Sequence, residues 1–200
     1  MECIGPCGFD ELFNKSVPHI IEKVFLTLDF KSFKTCYEVS KAWKEFITSD
    51  SFKRKVKIHF RSDIEDDESR LCRMSGIGHS SEVKKLLSYE LLDVNCVSWM
   101  KKRTPLHEAS DNGHSDIVRI LLNAGADLSL GEEYGRTPLH LAAMNGHARG
   151  RVEVAKILTE AGADPNMRDA DPCRGETPLH WASYRGVNDM VKIFLGTMHI

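Results

Sequence analysis

The chain has 200 residues, 42 % apolar and 28 % charged, enough for a substantial core and ordinary for a globular protein. A formal net charge of −2 supplies no field for holding nucleic acid, and no run approaches the roughly 18 consecutive apolar residues of a membrane span. Neither nucleic acid nor membrane is therefore expected as a partner.

Residues 1–10 lack the basic start and apolar run of a secretory signal, so the chain is expected in cytoplasm or nucleus. In the next stretch, Ile20, Ile21, Val24, Phe25 and Leu28 recur at spacings of three and four, which predicts a helix from Pro18 with a wide apolar stripe. A second helix, Phe30 to Val39, carries Phe33 and Tyr37. A third, Ser40 to Ser49, carries Trp43, Phe46 and Ile47, and an apolar series Phe52, Val56, Phe60 follows. So few short helices make a marginal core and need something to cover them.

Val17-Pro18, the helix to Leu28-Asp29, Phe33, Val39-Ser40-Lys41-Ala42-Trp43, Phe46 and Phe52 together resemble an F-box. The resemblance implies a three-helix motif over residues 1–62 that binds the adaptor Skp1 and, through it, a cullin. Carried over position by position, Val17, Pro18, Ile21, Phe25, Leu28, Val39 and Trp43 would face the adaptor or fill the F-box core. The alternative is a helical cap with no adaptor. Lys53-Arg54-Lys55-Val56-Lys57 has no interleaved aromatic platform and reads as a solvated helix face. Asp63 to Glu68, acidic and without apolar period, is expected to be the linker (63–68).

Residues 69–98 follow, in which Gly78 to Leu87 looks like the second helix of a repeat whose first helix, near Ser69 to Ser75, is degenerate. Then Thr-Pro-Leu-His occurs three times, starting at Thr104, Thr137 and Thr177. The first two copies start 33 residues apart and the third 40 later. A four-residue insertion, Ala148 to Arg151, placed before a helix Val152 to Glu160, and three extra residues in the loop Met167 to Arg174 account for the excess. In the first copy Thr104 can accept from first-turn amides, and Pro105 gives up an N–H that had no partner. Asn112-Gly113-His114 turns the chain, Ser115-Asp116 is expected to cap a helix with Ile117, Val118, Ile120, Leu121 and Leu122 inward, and Gly125 ends it.

These boxes and their period resemble the ankyrin-repeat family, with units at 99–131, 132–169 and 170–200 behind a cap at 69–98. The expected fold is all-α: an F-box motif followed by an ankyrin solenoid of helix pairs with hairpin-like loops. The resemblance implies a concave surface for a protein target, whose contact candidates are Met100, Lys101, Arg103, Asp111, Asn112, Glu133, Tyr134, Arg136, Met144, Asn145, Glu176, Trp181, Tyr184 and Arg185. Trp99 could equally cover core. His107, His140 and His180 occupy one slot of the repeat and are expected to be architectural. The last unit ends soon after Leu195, so Trp181, Val191, Ile193 and Phe194 are expected to be partly uncovered.

Cys3 and Cys7 have no second pair nearby, and Cys36, Cys72, Cys96 and Cys173 sit among apolar positions, so free thiols are expected in place of a zinc site or disulfides. No nucleophile, base and orienting group occur together and no phosphate loop is present. The expectation is a protein without catalytic residues, cofactor or metal: a substrate-recruiting adaptor of a Skp1–cullin–F-box ubiquitin ligase, or alternatively an ankyrin scaffold or inhibitor with no ligase role.

Overall fold

The computed structural model describes residues 26–33, 56, 59–88, 92–98, 101–145, 149–171 and 174–197, and every regular element among them is helical. The chain divides into two compact units: Met1–Asp66 with Tyr89–Leu91, and Asp67–Ser88 with Leu92–Ile200.

In the first unit Asp29 starts a helix. Its carboxylate accepts from the Ser32 amide and the Ser32 hydroxyl, each at 2.9 Å, and the Phe33 amide reaches the Asp29 carbonyl at 2.9 Å. Those bonds favour the ionised form and hold its carboxyl below the usual range. Phe30–Phe33 is accordingly helical, as expected from Phe30 onward. Phe33 is fully buried, and the Phe60 ring lies 5.2 Å from the rings of both Phe30 and Phe33. Leu28 is half-buried. Val17, Pro18, Ile21, Phe25, Val39 and Trp43 lie outside the described residues, as do Trp99 and Met100.

One expectation is corrected at once. Asp63 to Glu68, read as a linker, lies inside helix α1 (Arg61–Ile77), and the division between the units falls within that stretch. Ile64, Leu71, Cys72 and Ser75 are buried. The acidic side chains hid a sparse apolar series that suffices for a helix when each member is buried.

The second unit continues with α2 (Ser80–Leu87), α3 (Pro105–Asn112), α4 (Ser115–Asn123), α5 (Pro138–Met144), α6 (Arg149–Glu160), α7 (Pro178–Tyr184) and α8 (Asn188–Thr197). They stack in two rows. α3, α5 and α7 touch in series, α2, α4, α6 and α8 touch in series behind them, and each inner helix packs on its own outer one. The inner helices carry alanine at one equivalent position, Ala109, Ala142 and Ala182, each with no exposed surface. A side chain of that size lets neighbouring helices approach closely. Around them Leu106, Ile117, Val118, Leu121, Leu139, Val154, Leu158, Met190 and Phe194 form one continuous core.

Two local readings change. Ser115 does not cap α4: the capping position is His114, without a side-chain cap, while its Nε2 donates to the Gly76 carbonyl at 3.1 Å. The helix expected to start at Val152 begins earlier, since Arg149, Gly150 and Arg151 of the insertion form the first turn of α6. At the other end, Phe194 is fully buried, whereas Trp181, Val191 and Ile193 are half-buried and Leu195 is 47 % exposed. Phe194 escapes solvent because α8 packs on both α6 and α7.

Within the second unit, hairpins connect successive repeats. They are closed by the Ser98 amide on the Arg103 carbonyl (2.9 Å), the Glu132 amide on Arg136 (3.0 Å) and the Asp169 amide on Glu176 (2.9 Å). The extra residues of the third hairpin therefore sit at its tip. Successive tips are joined by the Glu133 amide on the Lys101 carbonyl (3.2 Å) and the Ala170 amide on the Tyr134 carbonyl (2.8 Å). Gly135 has φ +70, and a Cβ there would come within 2.6 Å of the Ala170 Cβ, so both its backbone and its lack of side chain are required.

Candidate functional site

Each Thr-Pro-Leu-His box builds the same small network. The main-chain amide of Thr104 donates to His107 Nδ1 (3.2 Å), and the Thr104 hydroxyl lies 2.8 Å from the same nitrogen. The hydroxyl oxygen in turn accepts from the His107 amide (3.3 Å). His107 Nε2 is 2.9 Å from the carbonyl of Arg136 in the next hairpin. A carbonyl only accepts, so Nε2 carries the proton, Nδ1 accepts, and the imidazole is neutral. His140 repeats this with Thr137 at 3.1 and 2.8 Å and with the Glu176 carbonyl at 3.1 Å.

Burial pushes the His107 pKa down to about 4 and lowers that of His140 for the same reason. With both nitrogens engaged and no exposed surface, these rings are architectural, as expected. His180 keeps the box geometry, with Nδ1 at 2.8 Å from the Thr177 hydroxyl, but its side chain is 54 % exposed and faces the Glu176 carboxylate at 3.9 Å.

Against that constant framework two positions of each unit vary together: the residue before the box and the residue near the end of the inner helix. Arg103 Nη1 pairs with Asp111 at 2.8 Å. Arg136 Nη1 instead lies 3.6 Å from the Met144 sulfur, and the Tyr184 hydroxyl donates to Glu176 at 3.3 Å. One rung is an ion pair, the next a cation on a thioether, the third a phenol on a carboxylate. The framework does not dictate this pairing, and it gives each rung of the face its own chemistry.

The predicted contact residues divide accordingly. Lys101, Asn112, Glu133, Tyr134, Asn145, Tyr184 and Arg185 are exposed; Arg103, Asp111, Arg136 and Met144 are half-buried in the rungs, and Trp181 is half-buried outside them. Glu176, expected at a hairpin tip, is buried and serves Tyr184. Arg136 stacks on the Tyr134 ring at 4.6 Å, and Trp181 meets Tyr184 edge-on with centroids 6.3 Å apart.

Several members of the surface went unread in the sequence. Glu132 is buried, accepts from the Tyr134 amide at 3.0 Å and lies 3.7 Å from Arg136 Nε. Arg151 donates to the carbonyls of Asp111 (2.7 Å) and Asn145 (3.0 Å), while the Asn145 side-chain amide donates to the Asp111 carboxylate. Asp169 and Asp171 line a cleft with Glu133, Tyr134, Arg136, Ala170 and Trp181. The three extra residues of the loop Met167 to Arg174, which lengthen the hairpin bearing Asp169 and Asp171, are the sequence signal for those two.

Cys72 and Cys96 are free and buried, with sulfurs 3.8 Å apart. The hydrogen bond between them, reinforced by burial, pushes the Cys96 thiol far up. Among the described residues no three His, Cys, Asp or Glu side chains converge to hold a metal, and no helix is long and apolar enough to cross a membrane.

Comparison with known proteins agrees with the repeat geometry. The tyrosine-protein kinase HTK16 of Hydra vulgaris is 37 % identical over 115 residues, 56 % of this chain and 14 % of the kinase. The "Probable E3 ubiquitin-protein ligase XBOS33" of Oryza sativa subsp. japonica is 32 % identical over 126 residues, 63 % of this chain and 23 % of the ligase. Human ankyrin repeat and SOCS box protein 16 is 40 % identical over 89 residues, 44 % of this chain and 18 % of that protein. The chain thus spans less than a quarter of each of these relatives. Family models for ankyrin repeats, in three copies and in many copies, match residues 71–169 and 147–195. With its boxes, paired helices and linked hairpins, this chain belongs to the ankyrin-repeat family.

Proposed function

We propose that this chain is a non-catalytic, substrate-recruiting adaptor of a Skp1–cullin–F-box ubiquitin ligase, holding Skp1 with its N-terminal helices and a protein target with its repeats. The observation that carries the target half is the contrast between an invariant framework and a varied face: the Thr-His network is the same in each unit, while Arg103–Asp111, Arg136–Met144 and Glu176–Tyr184 differ. A surface whose chemistry changes rung by rung on a rigid base suits recognition of one extended protein partner.

Support for the ligase half comes from the sequence pattern Val17-Pro18, Leu28-Asp29, Val39 and Trp43, and from relatives whose names include a ubiquitin ligase and a SOCS box protein. On this reading the work done is effective concentration. Fixing target and ubiquitin-transfer machinery on one scaffold makes transfer quasi-intramolecular, a gain of about 10²-fold when the geometry lets both sites engage. Cytoplasm or nucleus is the compartment this implies.

The second reading, a plain interaction scaffold, is favoured by the kinase among the relatives, because repeats shared across such different proteins do not fix the rest of a function. Retention of Skp1 by the full chain decides between the two. Wild type should hold Skp1 under native conditions, and Trp43→Ala or Pro18→Ala should release it. Absence of retention by the wild type leaves the scaffold.

A further inference from the structure

By register, helix α1 takes the place of an inner helix, and its Cys72 takes the place of the box histidine. Cys72 precedes His79 by seven positions, as His107 precedes His114. In the later units that slot fastens a repeat to the next hairpin: Nε2 of His107 and of His140 donates to the carbonyls of Arg136 and Glu176 at 2.9 and 3.1 Å. Here the Cys72 thiol points at the carbonyl of Arg103, the residue before the first box, at 3.8 Å. A thiol is a weak donor, so this slot ties the first hairpin less firmly than the next two.

A second sulfur fills the space beside it. Cys96, 24 positions on, places its Sγ 3.8 Å from that of Cys72, and its own thiol reaches the Glu68 carbonyl at 3.6 Å. Both side chains belong to the buried core. At that separation the sulfurs touch, and no atom fits between them. The turn that carries Cys96 is pinned to α1 and to the next repeat. The Glu68 carboxylate accepts from the Asp93 amide at 3.2 Å, the Asp93 carbonyl accepts from the Cys96 amide at 3.0 Å, and the Asn95 side chain accepts from the Asp127 amide at 2.9 Å. Bonded sulfurs lie about 2 Å apart, so joining these two asks each to move by roughly 1 Å.

We propose that Cys72 and Cys96 are an oxidative modification site: hydrogen peroxide converts the two thiols to a disulfide, which fastens α1 to the segment entering the first hairpin, where the later units use an imidazole. Two thiols and one peroxide give one disulfide and two waters. One thiolate attacks a peroxide oxygen and becomes a sulfenic acid, and the departing hydroxide takes up that thiol's proton as water. The other thiolate then attacks the sulfenic sulfur, forms the S–S bond and expels a second hydroxide, which takes the second thiol's proton. Contact between the sulfurs decides the product. The sulfenic sulfur meets its neighbour before it meets more peroxide, so the reversible bond forms ahead of sulfinic acid. Burial, together with the shared hydrogen bond that raises the Cys96 thiol, keeps the first step slow at neutral pH. The link therefore answers sustained oxidant and ignores a brief pulse. It stands apart from both the Skp1 and the target readings.

The test uses the full chain, reduced and then held in hydrogen peroxide at neutral pH and at about pH 8.5. Remaining thiols are blocked with N-ethylmaleimide in urea, and the peptides are mapped without reductant. The linked Cys72–Cys96 peptide should be the main cystine, should form severalfold faster at the higher pH, and should disappear with dithiothreitol. In urea the oxidised chain should have an unfolding equilibrium constant about 10²-fold smaller than the reduced chain, the effect of closing a loop of this length in the unfolded state.

Cys72→Ala and Cys96→Ala should each show no such gain on oxidation. The peptide map is read on the wild type, so it decides the matter even where a variant fails to fold. Sulfinic acid at either position without the linked peptide, pairing of either thiol chiefly with another cysteine or a second chain, or two thiols still free after prolonged exposure overturns the proposal. So does an oxidised chain that unfolds as readily as the reduced one.

Discussion

The guanidinium of Arg151 reaches back 40 positions to the main-chain carbonyl of Asp111, 2.7 Å from Nε, and back six positions from the same side chain to the carbonyl of Asn145 at 3.0 Å. Both carbonyls lie at C-terminal ends of inner helices, where a cation is favoured. The inserted turn of α6 is thus a clamp across two repeats. Arg151→Ala should lower stability to urea by about 1–2 kcal/mol, and Arg151→Lys should recover less than half of it, because a point donor does not span both carbonyls. Gly150→Ala belongs with it: a Cβ would meet the Gly113 carbonyl at 2.6 Å, so a loss of about 1–3 kcal/mol is expected from that single methyl.

Acid should weaken the fold through the framework histidines. His107 binds its proton at about 4 in the folded chain and near the ordinary 6.5 when unfolded. Its contribution is therefore complete above about pH 6.5 and is lost as pH falls toward 4, amounting to about 3 kcal/mol in all. His140, lowered for the same reason, adds in the same direction. Urea midpoints measured from pH 7 to pH 4 should fall steadily, and His107→Gln, though less stable at pH 7, should show a shallower slope. An unchanged slope in that variant contradicts the assignment.

The alanine column sets another limit. Ala142 has no exposed surface and lies where α5 meets both α3 and α7. Ala142→Leu should cost about 1–3 kcal/mol by forcing its neighbours apart, whereas Asn112→Ala, at an exposed position, should stay within about 0.5 kcal/mol. Thermal or urea unfolding of the two variants side by side separates packing from surface effects.

Cys72 and Cys96 should resist alkylation in the native chain. Their burial and the raised pKa of Cys96 leave little thiolate to react. Peptide mapping after brief iodoacetamide treatment should find both unmodified at neutral pH and both fully modified in urea. Rapid native labelling at either would mean that the core around α1 opens readily.

The repeat architecture was legible because its rules are local. Thr104, Pro105 and Gly113 each solve a backbone problem within a few residues, so their identity announces the helix they bound. The periodic Ile117, Val118 and Leu121 likewise reveal an inward face. What escaped depended on distant partners. Arg149 to Arg151 looks like an insertion outside the helix until Asp111 and Asn145 are brought beside it, and Asp63 to Glu68 looks like a linker until Ile64 is seen to be buried. At the surface, the rung positions followed from the repeat register, but their pairing did not. Nothing in the order of residues says that Glu176 turns inward to meet Tyr184 or that Glu132 sits under Arg136.

The imidazoles of His107 and His140 each bind the carbonyl of a residue whose side chain belongs to the varied rungs, Arg136 and Glu176. Those two residues carry a double duty divided along the Cα–Cβ bond: the peptide oxygen holds one module to the next, and whatever hangs from Cβ is free to vary. Selection can therefore rewrite what the protein grips without loosening how its modules are joined, and a grafted specificity should travel with a few side chains alone.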